Sequence, residues 1–352
     1  MIFKKGRKDR LEIVHVSGID PRMTKPGGTR TYVISLMKEL IFRGHGSVLV
    51  GAKYPRVKGE SPVPFFGLNL KRPSSYSFFW KLSLEAPTME LTTNQILHFH
   101  RPEDAFPFIL FWPRIPKVVT FHGIPQKGVR QRNGALVGFL YNLFEDYVVS
   151  RVDEVVCVSQ EGKKYLLRHY GRTPVVIPVG VDMEKFARVE PVDEYRCDAL
   201  FVGRFEKEKG MKHLASLVES GIDVLAVGSG PMDRYLLKKG VRVAGKIPHD
   251  DMSRVYSSAK VLVLPSSYEG FPTVVLEALA CGTGVVAFDV GDTNMVVDDD
   301  TGRLSCADTF VIDVRDVLEE LPSGSICRDR AMMFSWPKIC SKLEDVYWRV
   351  KC

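Results

Sequence analysis

The sequence predicts an α/β protein of two doubly wound domains, each built on a parallel sheet covered by helices. Short runs rich in valine, isoleucine and leucine recur along the chain, and each leads through a glycine-bearing turn into a helical pattern. Strands that are apolar on both faces are typical of parallel sheets between helical layers. The alternation starts twice, and 352 residues suffice for two hydrophobic cores of ordinary size.

The first series opens with a predicted strand at residues 11–16 and a helix at residues 29–43, which Gly44 ends. Ser159 is expected to cap a helix that runs to residue 170, where Gly171 stops it. Residues 53–93 show only weak periodicity, so we predict irregular structure there. The remaining strands of this series are predicted at residues 47–50, 96–99, 118–121, 155–158 and 175–177.

The second series starts after Cys197, and residues 179–195 before it lack periodicity and contain Pro191, which indicates a linker. We therefore predict an N-terminal domain of residues 1–181 and a C-terminal domain of residues 182–336. The carboxyl ends of the strands in both domains are expected to face a central cleft, because doubly wound sheets bind ligands at such ends. The strands of the second series are predicted at residues 199–202, 224–227, 241–244, 261–264 and 285–287.

Composition and charge narrow the class of protein. No run reaches the roughly 18 apolar residues of a membrane helix, and the basic start lacks the apolar core of a secretion signal, so we expect a cytoplasmic protein. The seven cysteines are scattered and form no C-x-x-C pair, which favours free thiols.

The charged residues are distributed unevenly. Residues 1–190 carry 29 Lys and Arg against 17 Asp and Glu, and the rest of the chain carries 20 Lys and Arg against 25 Asp and Glu. A solvated surface explains this asymmetry, and so does an anionic acceptor or the inner face of a membrane; both stay open.

The segment PSSYEGFPTVVLEALACG, residues 265–282, carries the clearest chemical signal. A predicted strand leads into a short loop, and a helix follows from about Thr273, with Pro272 suited to the first helical position. The backbone N–H groups of Thr273 and Val274 are expected to be open to a diphosphate at the positive end of the helix dipole. Glu269 in the loop and Glu277 one turn into the helix can accept hydrogen bonds from two separate sets of hydroxyls on one elongated ligand.

This segment resembles the hallmark of the family-4 retaining glycosyltransferases of the GT-B fold, E-G-F-P-x-x-x-L-E-A-x-A-x-G. The resemblance implies two Rossmann-like domains that face a central cleft. It also implies that Glu269 contacts the hydroxyls of the donor sugar and acts in catalysis, and that Glu277 contacts the ribose. Phe271, Thr273 and Val274 lie within the matched segment and are expected to contact the donor.

Further segments of the C-terminal half extend the resemblance. V-G-R-F-E-K-E-K-G, residues 202–210, implies that Arg204 and Lys209 bind the donor diphosphate. Fixed cations there would stabilise the charge that develops on the leaving group. Gly228 lies in a turn similar to the family's G-x-G-P element beside the nucleotide, and the backbone near Ile247 matches the segment that meets the base.

The N-terminal half shows two similar elements. Pro26, Gly27 and Gly28 resemble the family's glycine-rich first loop, where a backbone without side chains can approach a ligand phosphate closely. V-T-F-H-G, residues 119–123, resembles the T-x-H-G element, which implies that His122 contacts the donor sugar and orients the reacting centre. In GT-B enzymes the C-terminal helix, about residues 337–352 here, packs back onto the first domain.

The resemblance implies an enzyme of the hexosyltransferase type that moves a sugar from a UDP- or GDP-linked donor to an acceptor hydroxyl with retention of configuration. Glycolipid, glycan and polysaccharide synthesis all fit, and the acceptor stays open. Beyond the donor itself no cofactor is expected, and no metal, although His98 and His100 share a strand face. The alternatives are a nucleotide-sugar 2-epimerase of the same architecture and a non-catalytic nucleotide-sugar-binding protein. No nucleic-acid partner is expected.

Overall fold

The computed structural model describes residues 10–23, 27–71, 74–124, 138–139 and 141–351. The chain divides into two compact units. Unit 1 comprises Met1–Pro178 and Trp336–Cys352, and unit 2 comprises Val179–Ser335. Each unit has a hydrophobic core of its own around a parallel sheet. The sequence places the boundary between domains at residue 181.

The sheet of unit 1 has seven strands in the order β3-β2-β1-β4-β5-β6-β7, and every described pair is parallel. The strand order reverses between β1 and β4, so the sheet is doubly wound and has its switch point there. The strands are β1 (Glu12–Ser17), β2 (Gly46–Lys53), β3 (Phe65–Asn69), β4 (Gln95–Phe99), β5 (Lys117–Phe121), β6 (Glu154–Cys157) and β7 (Val175–Val176).

Two helices of unit 1, α2 (Ser75–Glu85) and α5 (Gln160–Tyr170), begin at a serine whose side chain accepts a hydrogen bond from the first turn. Ser159 Oγ accepts a hydrogen bond from the Gly162 N–H at 3.1 Å, and Gly171 closes the same helix in the left-handed conformation, as predicted. Between β1 and β7 the described helices are α1 (Gly28–Phe42), α2 (Ser75–Glu85), α3 (Pro102–Phe111), α4 (residues 141–151) and α5 (Gln160–Tyr170).

The prediction of irregular structure at residues 53–93 is wrong, because β3 and α2 lie there. β3 is an edge strand with a single buried side chain, Leu68, so no apolar alternation marks it in the sequence. α2 is capped by Ser74 Oγ, yet its apolar period is obscured because large side chains also line its exposed face. The sequence prediction also omitted α3, which carries a proline inside the helix.

The sheet of unit 2 has six parallel strands in the order β10-β9-β8-β11-β12-β13, with its switch point between β8 and β11. The five predicted strands are present, and the sixth, β13, was missed because only its two end residues are buried. The strands are β8 (Cys197–Arg204), β9 (Val224–Ser229), β10 (Arg242–Gly245), β11 (Ala259–Leu264), β12 (Gly284–Phe288) and β13 (Gly302–Ser305). The helices are α6 (Met211–Glu219), α7 (Asp233–Lys238), α8 (Met252–Ser258), α9 (Thr273–Ala280), α10 (Phe310–Glu319) and α11 (Gly324–Met332).

The last helix, α12 (Trp336–Lys351), belongs to unit 1. It packs against α1, where Glu344 accepts hydrogen bonds from Arg43 at 2.6 Å and lies 2.7 Å from His45 Nε2. None of the described helices combines the length and hydrophobicity that a membrane-spanning helix needs. The six cysteines that the structure describes are free thiols, five of them buried, and Cys352 lies outside the described residues.

Candidate functional site

The predicted donor residues of unit 2 follow the two strands on either side of its switch point. β8 ends at Arg204 and is followed by Lys209, and β11 leads into the loop that carries Glu269. Adjacent parallel strands end at the same edge of a sheet, so these loops lie side by side. The structure therefore places the predicted cations and the first predicted carboxylate at one edge of one sheet.

Lys209 and Glu269 are in direct contact. Lys209 Nζ donates to Glu269 Oε1 at 2.5 Å, and the two side chains are only 21% and 13% exposed. A partly buried carboxylate and ammonium need each other, because an unpaired charge there would lose its hydration without compensation. Arg204 differs: its side chain is 74% exposed and donates to Glu206 at 2.8 Å, so it reaches toward solvent at the end of β8.

Close backbone contacts fix these loops relative to each other. Gly210, directly after Lys209, has a φ of +75°, and a Cβ at this position would lie 2.1 Å from the Pro265 carbonyl oxygen. The Ser267 N–H donates to the Glu208 carbonyl at 2.8 Å and ties the two loops together. Both positions lie within a few residues of Lys209 or Glu269. The backbone on both sides of the Lys209–Glu269 pair is therefore joined by a close approach and a hydrogen bond.

The N-terminus of α9 is only partly as predicted. The Thr273 N–H donates to the Phe271 carbonyl at 3.1 Å, so the prediction that it is open to a ligand is wrong. A tight turn through Pro272, which stands before the first helical residue, closes this group. Phe271 is held in place by Phe334, with ring centroids 5.9 Å apart, and Val274 packs on the core of unit 2.

Glu277 lies in a preformed hydrogen-bond network inside unit 2. Tyr256 OH donates to its Oε2 at 2.7 Å, and His249 Nε2 lies 3.0 Å from its Oε1. Burial, together with the Glu277 charge, raises the pKa of Tyr256 well above its ordinary value, so the phenol stays a donor. Lys185 Nζ lies 2.8 Å from the other ring nitrogen of His249 and extends the network outward.

Sequence reasoning missed His249, Tyr256 and Lys185 as members of this network. Lys185 lies in a segment similar to the family's G-V-D-x-x-x-F element, and His249 directly follows the segment around Ile247, so a signal was available for both. Tyr256 has none, because it lies on α8 in an ordinary helical pattern. Ile247 itself is half-buried against the core of unit 2.

Gly228 is required by packing between strands. Its φ is +140°, and a Cβ there would lie 1.8 Å from the carbonyl oxygen of Gly203, its partner on β8. A side chain at Gly228 would therefore separate β8 from β9 near Arg204, the last residue of β8. Its predicted contact with the donor stays a prediction.

In unit 1, the predicted residues lie around the switch point of the other sheet. His122 directly follows β5, and Gly27 and Gly28 begin α1. No atom lies within 4 Å of a Cβ built at either glycine, so the described structure leaves open space beside this backbone. Pro26, the first residue of the predicted glycine-rich loop, lies outside the described residues.

His122 belongs to a cluster of four imidazoles on one face of the sheet. His15 on β1 is the register partner of His98 on β4, and His100 follows two residues later. Burial lowers the pKa of His15 to about 3 and that of His122 to about 4, and it lowers the pKa values of His98 and His100 well below the ordinary value. At neutral pH the whole cluster is therefore uncharged. His15 was missed because it lies inside an apolar strand pattern.

Three of these rings, those of His15, His98 and His100, offer ligating atoms within 4.8 Å of one another, a spacing that could suit a metal ion. Both nitrogens of His98 are already engaged, with Thr120 Oγ1 and Tyr347 OH each at 2.7 Å. His100 is likewise bonded through both nitrogens to His15 and to His122. Hydrogen bonds within the protein thus account for His98 and His100.

Comparison with solved structures identifies the fold. A sucrose-phosphate synthase from Thermosynechococcus elongatus matches with a TM-score of 0.79 at 21% identity, over 97% of this chain and 99% of that chain. HepE from Anabaena, solved in complex with UDP-glucose, matches with a TM-score of 0.72 at 15% identity, over 97% of this chain and 100% of that chain. The two doubly wound parallel sheets are those of the GT-B fold, as predicted.

Sequence comparison then defines the family. Residues 26–185 match the family model described as Glycosyltransferase Family 4, and residues 196–321 match the one described as Glycosyl transferases group 1. The chain is 26% identical, over 360 aligned positions, to the phosphatidyl-myo-inositol mannosyltransferase of Mycolicibacterium smegmatis, covering 92% of this chain and 90% of that protein. The chain therefore belongs to the family-4 glycosyltransferases of the GT-B fold, and it is an enzyme of the glycosyltransferase class.

Proposed function

We propose that the protein transfers a sugar, with retention of configuration, from a nucleoside-diphosphate donor that is bound by unit 2. The contact between Lys209 and Glu269 carries this proposal, because it joins a cation for phosphate to an acceptor for sugar hydroxyls. A diphosphate needs fixed positive charge, and a hexose needs hydrogen-bond acceptors. UDP-glucose in the related HepE structure supports a UDP-linked donor.

Each polar group of the site then has a chemical role. Lys209 and the exposed Arg204 stabilise the negative charge that develops on the departing diphosphate. The second oxygen of Glu269 remains available for sugar hydroxyls while Lys209 occupies the first. Glu277 is oriented by Tyr256 and accepts from the ribose. Fixing donor and leaving group in one geometry supplies much of the rate acceleration without any covalent intermediate on the protein.

The variant Glu269→Gln tests the role of this carboxylate. The amide oxygen can still accept from Lys209, so the loops stay in place while the charge is lost. We expect kcat/KM for sugar transfer to fall at least about 100-fold, in the range seen when a transition-state contact is removed, while the Kd for free UDP stays nearly constant. Glu208→Gln, an exposed carboxylate in the neighbouring loop, is the matched control. Wild-type turnover by Glu269→Gln would refute the assignment.

The donor and the reaction type are tested separately. A thermal-shift screen of UDP- and GDP-sugars identifies the donor, because a ligand at 100 times its Kd adds about 2.7 kcal/mol of stability. The donor so found is then incubated with the protein, without any acceptor, and followed by NMR. Transfer predicts an unchanged sugar or slow hydrolysis, whereas conversion to the 2-epimer would show an epimerase. Nucleotide-sugar binding without turnover on any acceptor would favour a simple binding protein.

We further propose that the acceptor is lipid-linked and that α2 of unit 1 contacts an anionic membrane surface. Tyr76, Trp80 and Leu84 stand four residues apart on one face of α2 and are 70%, 66% and 73% exposed. Aromatic and aliphatic side chains on an exposed helix face are suited to the lipid–water interface. The excess of basic residues in the N-terminal half and the lipid named in the mannosyltransferase relative support the same surface.

Vesicle flotation tests this surface. The triple variant Tyr76→Ser, Trp80→Ser, Leu84→Ser should bind vesicles of mixed neutral and anionic lipid at least about tenfold more weakly than wild type, since each tenfold corresponds to only about 1.4 kcal/mol. Phe42→Ser is the matched control, because Phe42 is 87% exposed on α1, away from α2. Equal binding by the wild type and the triple variant, or wild-type binding that ignores lipid charge, would contradict the proposal.

A further inference from the structure

Three imidazoles form a hydrogen-bonded chain that leads from the interior of unit 1 to His122. His15 Nδ1 lies 3.2 Å from His100 Nε2, and His100 Nδ1 lies 3.2 Å from His122 Nε2. His15 and His100 are buried, whereas His122 is partly exposed. The predicted contact between His122 and a sugar does not by itself require the two deeper rings.

Proton counting limits this chain to two arrangements. A neutral imidazole has one donor and one acceptor nitrogen, so all hydrogen bonds in the chain must run in one direction. If they run outward, every ring donates from Nδ1, and His15 Nε2 carries no proton. If they run inward, every ring donates from Nε2, and His15 Nε2 carries a proton.

The environment of His15 selects the outward direction. Its Nε2 is buried and has no hydrogen-bond partner among the described residues. A buried N–H without an acceptor is rarer in proteins than an acceptor that is left unused. The inward arrangement would place such an orphan N–H in the core, so the outward arrangement has the lower free energy.

Packing keeps the rings in this order. The rings of His100 and His122 are stacked at an interplanar angle of 26°, and the Tyr32 ring meets His122 edge-on with centroids 4.6 Å apart. His98, beside the chain, is held by Thr120 and Tyr347 through both of its nitrogens. The Trp336 ring of α12 also meets Tyr32 edge-on, with ring centroids 5.3 Å apart. A ring flip in this cluster would therefore break several contacts at once.

We propose that His15 and His100 are positioning residues that hold His122 as the neutral tautomer with its proton on Nδ1. His122 then offers an N–H donor to an oxygen of its ligand and has no basic nitrogen free to remove a proton. Its ligand is accordingly an oxygen acceptor such as a sugar hydroxyl, and the identification of that ligand as a sugar rests on the proposed function. His122 orients the substrate and is not the general base.

The tautomer is measured directly on the full-length protein labelled with 15N-histidine. Two-bond 1H–15N correlation spectra distinguish an Nδ1–H imidazole from an Nε2–H imidazole and from imidazolium. The eight histidines are assigned with single substitutions, including His169→Asn at an exposed position, which also serves as the control. We expect His15, His100 and His122 all to be Nδ1–H tautomers at neutral pH without any ligand.

Two variants of His15 test the chain itself. His15→Asn keeps an amide N–H near the position of Nδ1, whereas His15→Phe removes the donor. We expect His122 to stay Nδ1–H in His15→Asn and to become a mixture of tautomers in His15→Phe, with kcat lowered about tenfold in the latter and largely restored in the former. An unchanged His122 signal in a folded His15→Phe would overturn the inference; if that variant does not fold, the wild-type and His15→Asn spectra decide.

The outcomes separate this inference from the proposed function. An Nε2–H tautomer or an imidazolium at His122 would overturn the inference even if sugar transfer is observed. Stoichiometric metal in the purified protein would also overturn it, because an ion would replace the hydrogen bonds of the chain. The predicted tautomer in a protein that transfers no sugar would leave the inference standing and refute the proposed function.

Discussion

Replacing Gly210 with alanine tests whether a close backbone approach fixes the geometry of the candidate donor site. A Cβ at Gly210 would lie 2.1 Å from the Pro265 carbonyl oxygen, and real Cβ contacts essentially never fall below 3.0 Å. The backbone must therefore move by at least 0.9 Å, the difference between these two distances. Lys209 directly precedes Gly210, and Pro265 begins the loop of Glu269, so this movement separates the two charged groups.

The size of the effect follows from two contributions. An alanine in the left-handed region costs about 1–2 kcal/mol, and forcing a methyl group into a packed site costs about 1–3 kcal/mol more. Gly221 provides a matched control in the same unit, because its φ is +88° and no atom lies within 4 Å of its Cβ position. Gly221→Ala should therefore show only the first contribution. A displacement of about 1 Å at a catalytic group can lower activity about 100-fold, which we expect for Gly210→Ala only.

Urea denaturation of the full chain separates the two units optically. All four tryptophans, Trp80, Trp112, Trp336 and Trp348, lie in unit 1, so tryptophan fluorescence follows that unit while far-UV circular dichroism follows both. Gly210→Ala should shift the circular dichroism transition more than Gly221→Ala does, and the fluorescence transition should serve as an internal reference. Equal shifts for the two variants, or wild-type kcat/KM in Gly210→Ala, would refute the reasoning.

Two further predictions concern buried polar groups. Burial raises the pKa of Glu145 from its ordinary value of 4.5 to about 7, so the folded state binds its proton more tightly than the unfolded state does. The free energy of unfolding should therefore fall by about 3 kcal/mol as the pH rises from 4.5 to 7, at 1.36 kcal/mol per pH unit. Glu145→Gln should abolish this pH dependence in urea titrations. An unchanged pH dependence in the variant would show that Glu145 is not its source. Tyr256→Phe removes the donor to Glu277, so calorimetry should show UDP binding about tenfold weaker, as the loss of a charge-assisted hydrogen bond implies; wild-type affinity would show that Glu277 is positioned without Tyr256.

The sequence predicted the strands correctly wherever both faces of a strand are buried, because such a strand is a continuous apolar run. The strands of both sheets that flank the switch points were predicted for this reason. The prediction failed at β3 and β13, where few side chains are buried, and at α2, where exposed aromatic side chains obscure the helical period. The two strands are stabilised by backbone hydrogen bonds to neighbouring strands, and such bonds do not require a particular pattern of apolar side chains.

The residues of the candidate site also differ in how far the sequence predicts them. Glu269 and Lys209 could be named from the sequence because each follows a strand that the apolar pattern defines. The partners of Glu277 could not, since Tyr256 and His249 reach it from other segments of unit 2. His15 is a still clearer case: it meets His100, 85 positions further along the chain, only because β1 and β4 are neighbours in the sheet.

The two sheets present different chemistry at their switch points, and the difference has a physical cause. In unit 2 the ionised groups are paired before any ligand binds, Lys209 with Glu269 and Glu277 with Tyr256, so their charges are stabilised and already oriented. In unit 1 the imidazoles are deep enough that burial keeps them neutral. Preoriented charge is suited to a phosphate-bearing ligand, whereas neutral donors are suited to hydroxyl oxygens without a cost in buried charge. The candidate site of unit 2, taken by itself, is therefore suited to an anionic group, and the His122 end of unit 1, taken by itself, is suited to a neutral oxygen acceptor.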